Sequence, residues 1–286
     1  PPNPWSASEV DWIGEPPTQA LEVFRDHSQS ILSRNQSPDL PFEWSLNPYR
    51  GCVHACAYCY ARPSHQYLDM GAGTDFDRRI IVKEDAPRLL EESFQKRSWE
   101  GKAILFSGNT DCYQPLEAGY GLTRQCLEIC LRYRNPVQII TKAPLIERDL
   151  ELLCALDEVT NLTVTMSIPF WNADHARAME PGVPPPQRRM ESVQKLAMAG
   201  LNVGVNCAPV IPGLNDAELV DILEAASTAG AGFAGAIMLR LPGPVAEIFE
   251  ARLRRTLPLR AKRVMKCLRD VRAGKINDAR FGSRMQ

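Results

Sequence analysis

From about residue 100 onward, short apolar runs alternate with stretches whose apolar positions recur every three to four residues. Lys102-Ala103-Ile104-Leu105-Phe106 is the first such run, and a helical pattern follows over 123–133. The same sequence of events repeats for Pro136-Val137-Gln138-Ile139-Ile140-Thr141 with a helix at 147–157, and for 162–168 with a helix at 187–199. It repeats again for 201–206 with a helix at 216–228, and for 234–239, after which helical periodicity resumes from about 245. Runs of four to seven residues, apolar nearly throughout, are too short for helices and read as strands buried on both faces. Strands separated by helices predict right-handed βαβ units and a parallel sheet. Phe42-Glu43-Trp44-Ser45-Leu46 alternates like one more strand and brings the count to about six units, too few for a closed eight-strand barrel.

The first part of the chain is patterned differently. Residues 1–45 are rich in Pro, Ser, Asn and Asp, and they read as an extension over the core with a short helix at 17–27. Residues 75–82 suggest a small hairpin arm, and 84–95 an amphipathic helix with Leu89, Leu90 and Phe94 on one side. The expected organisation is an extension (1–45), a βα body (46–245) and a terminal helical segment (246–286).

Charge changes this picture at one end only. Residues 251–286 hold 12 Lys/Arg against 2 Asp/Glu, a balance of +10 in a chain whose formal total is −1, so the preceding body carries −11. A basic segment on an acidic body suits a polyanionic partner, and it equally suits a solvated helix face whose arginines pair with the body. With 286 residues, 44% of them hydrophobic, the chain can bury a full-sized core. The opening Pro-Pro-Asn-Pro has neither a charged n-region nor an apolar run, and no stretch of 18 apolar residues occurs. With nine cysteines, an odd number, the expectation is a reducing cytoplasmic compartment without a disulfide framework.

The candidate chemistry lies in Asn47-Pro48-Tyr49-Arg50-Gly51-Cys52-Val53-His54-Ala55-Cys56-Ala57-Tyr58-Cys59-Tyr60. Cys52, Cys56 and Cys59 put three thiolates on one short loop. A structural zinc site asks for four ligands, usually as two Cys/His pairs, and here His54 or His65 would have to complete a lopsided set. Thiolates are also the ligands of iron–sulfur clusters. A [4Fe–4S] cube held by three cysteines leaves one iron open for another ligand.

Cys-x3-Cys-x2-Cys with Tyr58 before the third cysteine resembles the signature of the radical S-adenosylmethionine (SAM) superfamily. In that superfamily the open iron chelates the amino and carboxylate groups of SAM, and an electron from the cluster splits the sulfonium to methionine and a 5′-deoxyadenosyl radical. The resemblance implies an α/β fold, a partial (β/α)6 TIM-type barrel with the N-terminal extension and the basic helical C-terminal segment added. In such barrels the chemistry sits at the C-terminal strand ends. The cysteine loop, the Gly108–Asp111 turn, Lys142, Ser167 and Cys207 all fall at such ends.

Further motifs narrow the resemblance to spore photoproduct lyase and its DNA-repair-photolyase-like relatives. These are Thr110-Asp111-Cys112-Tyr113-Gln114-Pro115, Met179-Glu180-Pro181-Gly182, Arg188-Arg189-Met190-Glu191, Ala199 to Gly204, Ala208 to Pro212 and Asp278-Ala279-Arg280-Phe281-Gly282. Carried over, the pattern implies a [4Fe–4S] cluster on Cys52, Cys56 and Cys59, and SAM held near Tyr58, Gly108, Asn109, Thr110, Lys142 and Ser167. Lys142 and Arg189 are the cations offered to the carboxylate. The substrate implied is damaged nucleic acid bound through the basic segment, with an electron donor such as flavodoxin or ferredoxin.

In one respect the chain departs from the lyase pattern. The lyase keeps a hydrogen-donating cysteine three residues before the aspartate of the turn, where this chain has Gly108. Cys112, with Tyr113 beside it, is the candidate donor from a shifted place, against its reading as a small core residue. Cys126, Cys130, Cys154 and Cys267 fall on helical patterns and read as core. The alternatives to nucleic-acid repair are a radical SAM enzyme acting on RNA, a peptide or a small metabolite, and a non-catalytic metal-binding module.

Overall fold

The computed structural model describes residues 20–37, 40 and 42–277. Strands β1 (Glu22–Arg25), β2 (Leu32–Arg34), β3 (Trp44–Leu46) and β4 (Tyr49–Arg50) precede the cysteine loop. A 3-10 segment (Arg62–Leu68), α1 (Thr74–Arg78), β5 (Arg79–Val82) and α2 (Ala86–Phe94) follow it. The body then runs β6 (Ile104–Phe106), α3 (Glu117–Tyr120), α4 (Leu122–Tyr133), β7 (Val137–Thr141), α5 (Leu150–Val159), β8 (Leu162–Ser167), α6 (Ala173–Met179) and α7 (Pro186–Met198). It ends with β9 (Val203–Asn206), α8 (Leu219–Thr228), β10 (Phe233–Gly235), α9 (Val245–Thr256) and α10 (Pro258–Asp270).

The main sheet has the order β10-β9-β8-β7-β6-β3-β2. Six of its strands, β3 and β6 to β10, are parallel neighbours, and β2 pairs antiparallel with β3 at one edge. This is the predicted open α/β sheet, consistent with a partial TIM-type barrel, and it does not close. The strands are near-continuous apolar runs because helices cover them. Phe106, Ile139, Val164 and Val205 pack in one cluster with Leu90 and Phe94 of α2, Leu127 and Cys130 of α4, Leu156 of α5, Val193 of α7 and Ile222 of α8. The predicted Leu89, Leu90 and Phe94 face of α2 is the buried one. Cys126 and Cys130 are buried in the same layer, while Cys154 and Cys267 are half-buried.

A second cluster joins the two ends of the chain. Cys56, Ala57 and Tyr58 of the cysteine loop share it with Phe170, with Ala176 and Met179 of α6, with Phe249 and Leu253 of α9, and with Val264 and Leu268 of α10. The basic terminal helices therefore pack their apolar sides beside the cysteines.

Two local expectations are corrected. The predicted helix at 17–27 is an extended segment where it is described: Glu22–Arg25 pairs in parallel with Arg79–Val82. The predicted hairpin at 75–82 is the short helix α1 running into β5, whose partners are β1 and β4. Both strands belong to a separate three-stranded sheet, order β1-β5-β4. Residues that look like a local hairpin are instead satisfied by pairing far along the chain, which periodicity does not report. The terminal Asp278 to Gly282 motif lies outside the described residues.

A buried carboxylate ties the loop's approach to the helical layer. Glu117 is fully buried and accepts hydrogen bonds from the Tyr49 hydroxyl, from the Thr123 amide at 3.0 Å and from Arg148 Nη2 at 3.0 Å. Tyr49 holds its proton more tightly than usual, because burial and the Glu117 charge both oppose the phenolate. Glu117→Ala would strand these donors, and we expect a loss of about 3 kcal/mol, the lower end for a broken buried pair because Arg148 is partly exposed. Urea unfolding would measure it, and a variant as stable as wild type would show that the pair contributes nothing.

Candidate functional site

The cysteine loop needs glycine at its entrance. Gly51 has φ +84°, and a Cβ there would stand 2.9 Å from both His65 Cε1 and Ile80 Cδ1. The next amide, of Cys52, donates to the Phe76 carbonyl at 2.9 Å. Tight turns follow, with Ala55 N–H donating to the Cys52 carbonyl at 3.2 Å and Cys59 N–H to the Cys56 carbonyl at 3.2 Å. Gln114, fully buried, clamps the loop from the next strand's turn. Its Oε1 accepts from the Val53 amide at 3.1 Å and its Nε2 donates to the Gly51 carbonyl at 3.1 Å.

All three thiols are unpaired, two buried and one half-buried. Burial, then Asp111 and Cys59, pushes the Cys52 thiol up to about 12. Cys56 rises well above its usual value, chiefly by burial, with Lys142 pulling it down and Glu180, Cys59 and Cys52 pushing it up. Burial also raises Cys59, against the opposing Arg62 and Lys142 charges. Three sulfurs that repel one another's ionisation in a dry pocket carry protons or share a cation, and a bound metal inverts the preference outright.

Above the loop docks the turn Met179-Glu180-Pro181-Gly182. Ala57 N–H donates to the Met179 carbonyl at 2.9 Å, and Gly182 N–H to the His54 carbonyl at 3.1 Å. A Cβ on Gly182 would lie 2.1 Å from the Val53 carbonyl oxygen, so only glycine allows this approach. The turn inserts Glu180, which is 1% exposed. Its carboxylate accepts from the Tyr58 hydroxyl and, at 2.8 Å, from Arg189 Nη2. Lys142 Nζ stands 3.9 Å from Glu180 Oε1 and 5.8 Å from the centre of the Tyr58 ring. Burial lowers the Lys142 pKa, but the Cys56 and Glu180 charges outweigh it and leave the ammonium firmly protonated.

The strand ends are joined by Asp111 and Asn47. Asp111 accepts from Thr141 Oγ1 at 2.7 Å, from the Tyr113 amide at 2.9 Å and from the Lys142 amide at 2.7 Å. Its other neighbour is His54 Nδ1 at 3.4 Å. Asn47 Oδ1 accepts from the amides of Asn109 at 2.8 Å and Thr110 at 3.2 Å.

The residues expected to hold SAM divide into two groups. Tyr58, Lys142, Arg189 and Ser167 converge on Glu180 or its partners. Arg189, however, is fully buried and already engaged: Nη2 bonds Glu180 and Nη1 donates to the Ser167 carbonyl at 2.7 Å. It is thus a support of the nest and not a second free cation for the carboxylate. The Gly108-Asn109-Thr110 turn spends its polar groups on protein. The Gly108 carbonyl accepts from Tyr60 at 2.6 Å, and the Thr110 hydroxyl donates to the Tyr49 carbonyl at 2.7 Å. Gly108 itself lies tight against Ser45, 2.9 Å from a would-be Cβ.

Cys112 and Tyr113 do not reach this mouth. Both are fully buried within the sheet–helix layer, in the cluster of Cys126, Leu127 and Phe106. The Cys112 amide is held by Ser107 Oγ at 2.8 Å, and its carbonyl accepts from Thr123 Oγ1 at 2.6 Å. A thiol packed there, its pKa raised well above normal by burial, is a core residue. Burial of Cys112 in this cluster favours its reading as a small core residue over that of a donor at the rim. Asn47, His54, Asp111, Gln114 and Glu180 were missed as site residues. The signal available was their place inside the quoted motifs, although nothing in residue type separates a buried carboxylate from a solvated one.

The fit to a cluster and SAM rests on donor chemistry and on unsatisfied atoms. Among the described residues no three His, Cys, Asp or Glu side chains converge on one point for a single ion. A cube does not require that, since each thiolate takes its own iron. His54 Nε2 and Arg189 Nε are buried without a hydrogen-bond partner. Burial of such atoms is costly unless a polar ligand meets them, which suits a site built for one. A separate hollow of about 400 Å³, lined by Trp44, Trp99 and Lys102, lies at the opposite ends of the strands.

Comparison with known proteins agrees. The family model for the radical SAM superfamily matches residues 46–226. An uncharacterized protein of Mycobacterium tuberculosis is 35% identical over 77% of this chain and 65% of its own length. An uncharacterized protein of Methanocaldococcus jannaschii is 29% identical over 70% of this chain and 72% of its own. The chain thus spans a little under two thirds of the mycobacterial relative. A structure of spore photoproduct lyase with bound AdoMet and dinucleoside spore photoproduct superposes with a TM-score of 0.60 at 17% identity, over 83% of this chain and 67% of that one. Streptococcus suis SuiB bound to S-adenosylmethionine gives a TM-score of 0.50 at 16% identity, over 91% and 50%.

Gly182→Ala tests the docking. Forcing a methyl against the Val53 carbonyl should lower stability by about 1–3 kcal/mol and reduce the iron bound per chain after anaerobic reconstitution. Iron content equal to wild type would show that the turn does not shape the cysteine loop.

Proposed function

This chain belongs to the radical SAM superfamily, and from that premise we propose that it abstracts a hydrogen atom from a damaged nucleic acid in a photolyase-like repair reaction. Its cofactors are a [4Fe–4S] cluster and SAM, which supply the radical chemistry when bound by generating a 5′-deoxyadenosyl radical. In this reading Cys52, Cys56 and Cys59 hold the cluster. Lys142 offers the SAM carboxylate a cation that protein groups have not fully claimed, since Glu180 is 3.9 Å away. Tyr58, Ser167, Arg189 and Glu180 hold that lysine's surroundings dry and in place. The Gly108-Asn109-Thr110 turn contributes shape, with its amides already bound to Asn47. Because Cys112 is sealed in the core, the hydrogen returned to product comes from another source than that thiol.

The observation that carries the nucleic-acid reading is the basic, solvent-facing side of α9 and α10, helices whose apolar side shares a cluster with the cysteine loop. Arg255, Arg260, Lys262, Arg263, Lys266 and Arg269 are exposed on α9 and α10 and make no ion pair among the described residues; Arg254 alone on that face pairs, with Glu250. The alternative in which these cations neutralise the acidic body therefore lacks support. Tyr60 (61% exposed) follows Cys59 and Tyr67 (74% exposed) lies in the 3-10 segment after it, and their rings offer stacking surfaces for an unpaired base. A lesion inside a duplex must leave the stack to reach the strand ends, and a damaged pair does so at lower cost. An electron donor such as flavodoxin or ferredoxin is required. Gly108 in place of the lyase cysteine, together with the acidic body, favours a second reading in which the substrate is RNA, a peptide or a small metabolite. No helix among the described residues is long and apolar enough to cross a membrane.

Three measurements test these readings. Reduced, reconstituted protein incubated with SAM should release 5′-deoxyadenosine, and replacing any of Cys52, Cys56 or Cys59 with Ala should abolish both the release and the cluster absorbance. Lys142→Ala should keep the absorbance and weaken SAM binding about tenfold, or ~1.4 kcal/mol; unchanged affinity removes Lys142 from the site. For the substrate, affinity for UV-irradiated DNA should fall about a hundredfold or more between about 50 and about 200 mM salt, as expected for several phosphate contacts. Absence of binding at the lower salt would favour the second reading.

A further inference from the structure

Three residues after the third cysteine stands a buried cation that the cofactor site does not account for. Arg62 is 2% exposed. Its backbone N–H donates to the Cys59 carbonyl at 3.3 Å, and its side-chain Nε donates to the Cys56 carbonyl at 3.0 Å. Nη1 donates to the carbonyls of Ala72 at 3.1 Å and Gly73 at 2.9 Å, and Nη2 to Asp77 Oδ1 at 2.8 Å. The guanidinium also lies 5.2 Å from the centre of the Phe76 ring. Four of its five side-chain N–H donors are spent on the chain, and the group is buried away from solvent. The side chain is fixed against the Cys56 carbonyl and the Arg62 backbone against the Cys59 carbonyl, with Asp77 as the hydrogen-bonded counter-charge.

A purely structural link between the loop and residues 72–77 would not need a full charge buried at this point, because burying a guanidinium is costly. A charge held beside an iron–sulfur cluster does have a consequence. Net charge and hydrogen bonding around the ligands set a cluster's reduction potential. We propose that Arg62 is a positioning residue that raises the reduction potential of the cluster, and that Asp77 moderates it. On reduction the cluster takes up one electron, with no bond made or broken, and gains negative charge. A fixed cation stabilises that form, and its carboxylate partner opposes it. Asp77 is not neutralised by Arg62 alone, since Arg78 and Arg252 also act on it. Burial nevertheless dominates there and lifts its carboxyl to about 6, as in a poorly solvated place where charge carries far.

The inference rests on the cluster reading of the loop, and potentiometric titration with dithionite, followed by electron paramagnetic resonance on anaerobically loaded protein, separates the two. Arg62→Gln should lower the midpoint, shifting the oxidised-to-reduced ratio about tenfold at fixed potential, or about 59 mV for one electron. Arg62→Lys keeps the charge and should leave the midpoint near wild type. Asp77→Asn keeps an acceptor for Nη2, removes the counter-charge and should raise the midpoint. Opposite signs for Arg62→Gln and Asp77→Asn support the proposal, because a damaged contact would move both the same way. Shifts of equal sign, no shift in either, or an Arg62→Lys shift as large as that of Arg62→Gln would overturn it. If Arg62→Gln fails to hold a cluster, the sign for Asp77→Asn decides alone. Wild-type protein that binds no cluster would defeat the cluster reading instead.

Discussion

A carboxylate with almost no exposed surface must be paired and hydrogen-bonded, or the fold that contains it does not persist. Glu180 meets that condition by drawing together groups from four places in the chain: Tyr58 from the cysteine loop, Lys142 from the end of β7, Arg189 from α7 and, through Arg189, the carbonyl of Ser167 at the end of β8. The strand ends and the cysteine loop are held in one arrangement by this single demand. The glycine two residues later lets the backbone come close enough to deliver it.

The remaining polar side chains extend the same logic along the rim. Asp111 crosslinks the turn after β6 to the end of β7, Asn47 holds the amides of the Gly108-Asn109-Thr110 turn, and Gln114 grips both sides of the cysteine loop's entrance. Each uses a fixed side chain to satisfy backbone groups that a loop would otherwise leave to water. Such a rim is rigid before any ligand arrives, which suits a site that must keep water from a reactive species. The helices α9 and α10 complete it by packing apolar residues against Cys56, Ala57 and Tyr58 while turning arginines and lysines outward.

The cations divide by environment and not by residue type. Lys142 and Arg62 both act on Cys59, yet Lys142 keeps partial access to the site while Arg62 is sealed by five hydrogen bonds to the chain. Arg189 resembles Arg62 in this respect, committed to protein on both arms of its fork. Arg255, Arg260, Arg263 and Arg269 of α9 and α10 are different again, solvated and without an ion pair among the described residues, while Arg254 pairs with Glu250. Burial thus sorts positive charge into three settings: partly accessible at Lys142, sealed against the chain at Arg62 and Arg189, and solvated on α9 and α10.

Much of this was legible in the chain. Apolar runs and helical periodicity marked five of the six parallel strands and their helices to within a few residues, because most of the fully buried positions are apolar even where β7 and β8 carry half-buried Gln138, Thr163 and Thr165 between them. The cysteine spacing carried the resemblance to the radical SAM superfamily, and that resemblance implied the chemistry. Local pattern failed where pairing is long-range: β1 and β5 are partners some 57 residues apart in register, and each alone looked like a helix or a hairpin. Pattern also could not say where Cys112 packs, or that Glu180 and Arg189 answer each other. The order of residues determined which groups are available, while packing alone decided which are buried, and burial is what turns an ordinary carboxylate, thiol or guanidinium into part of a site.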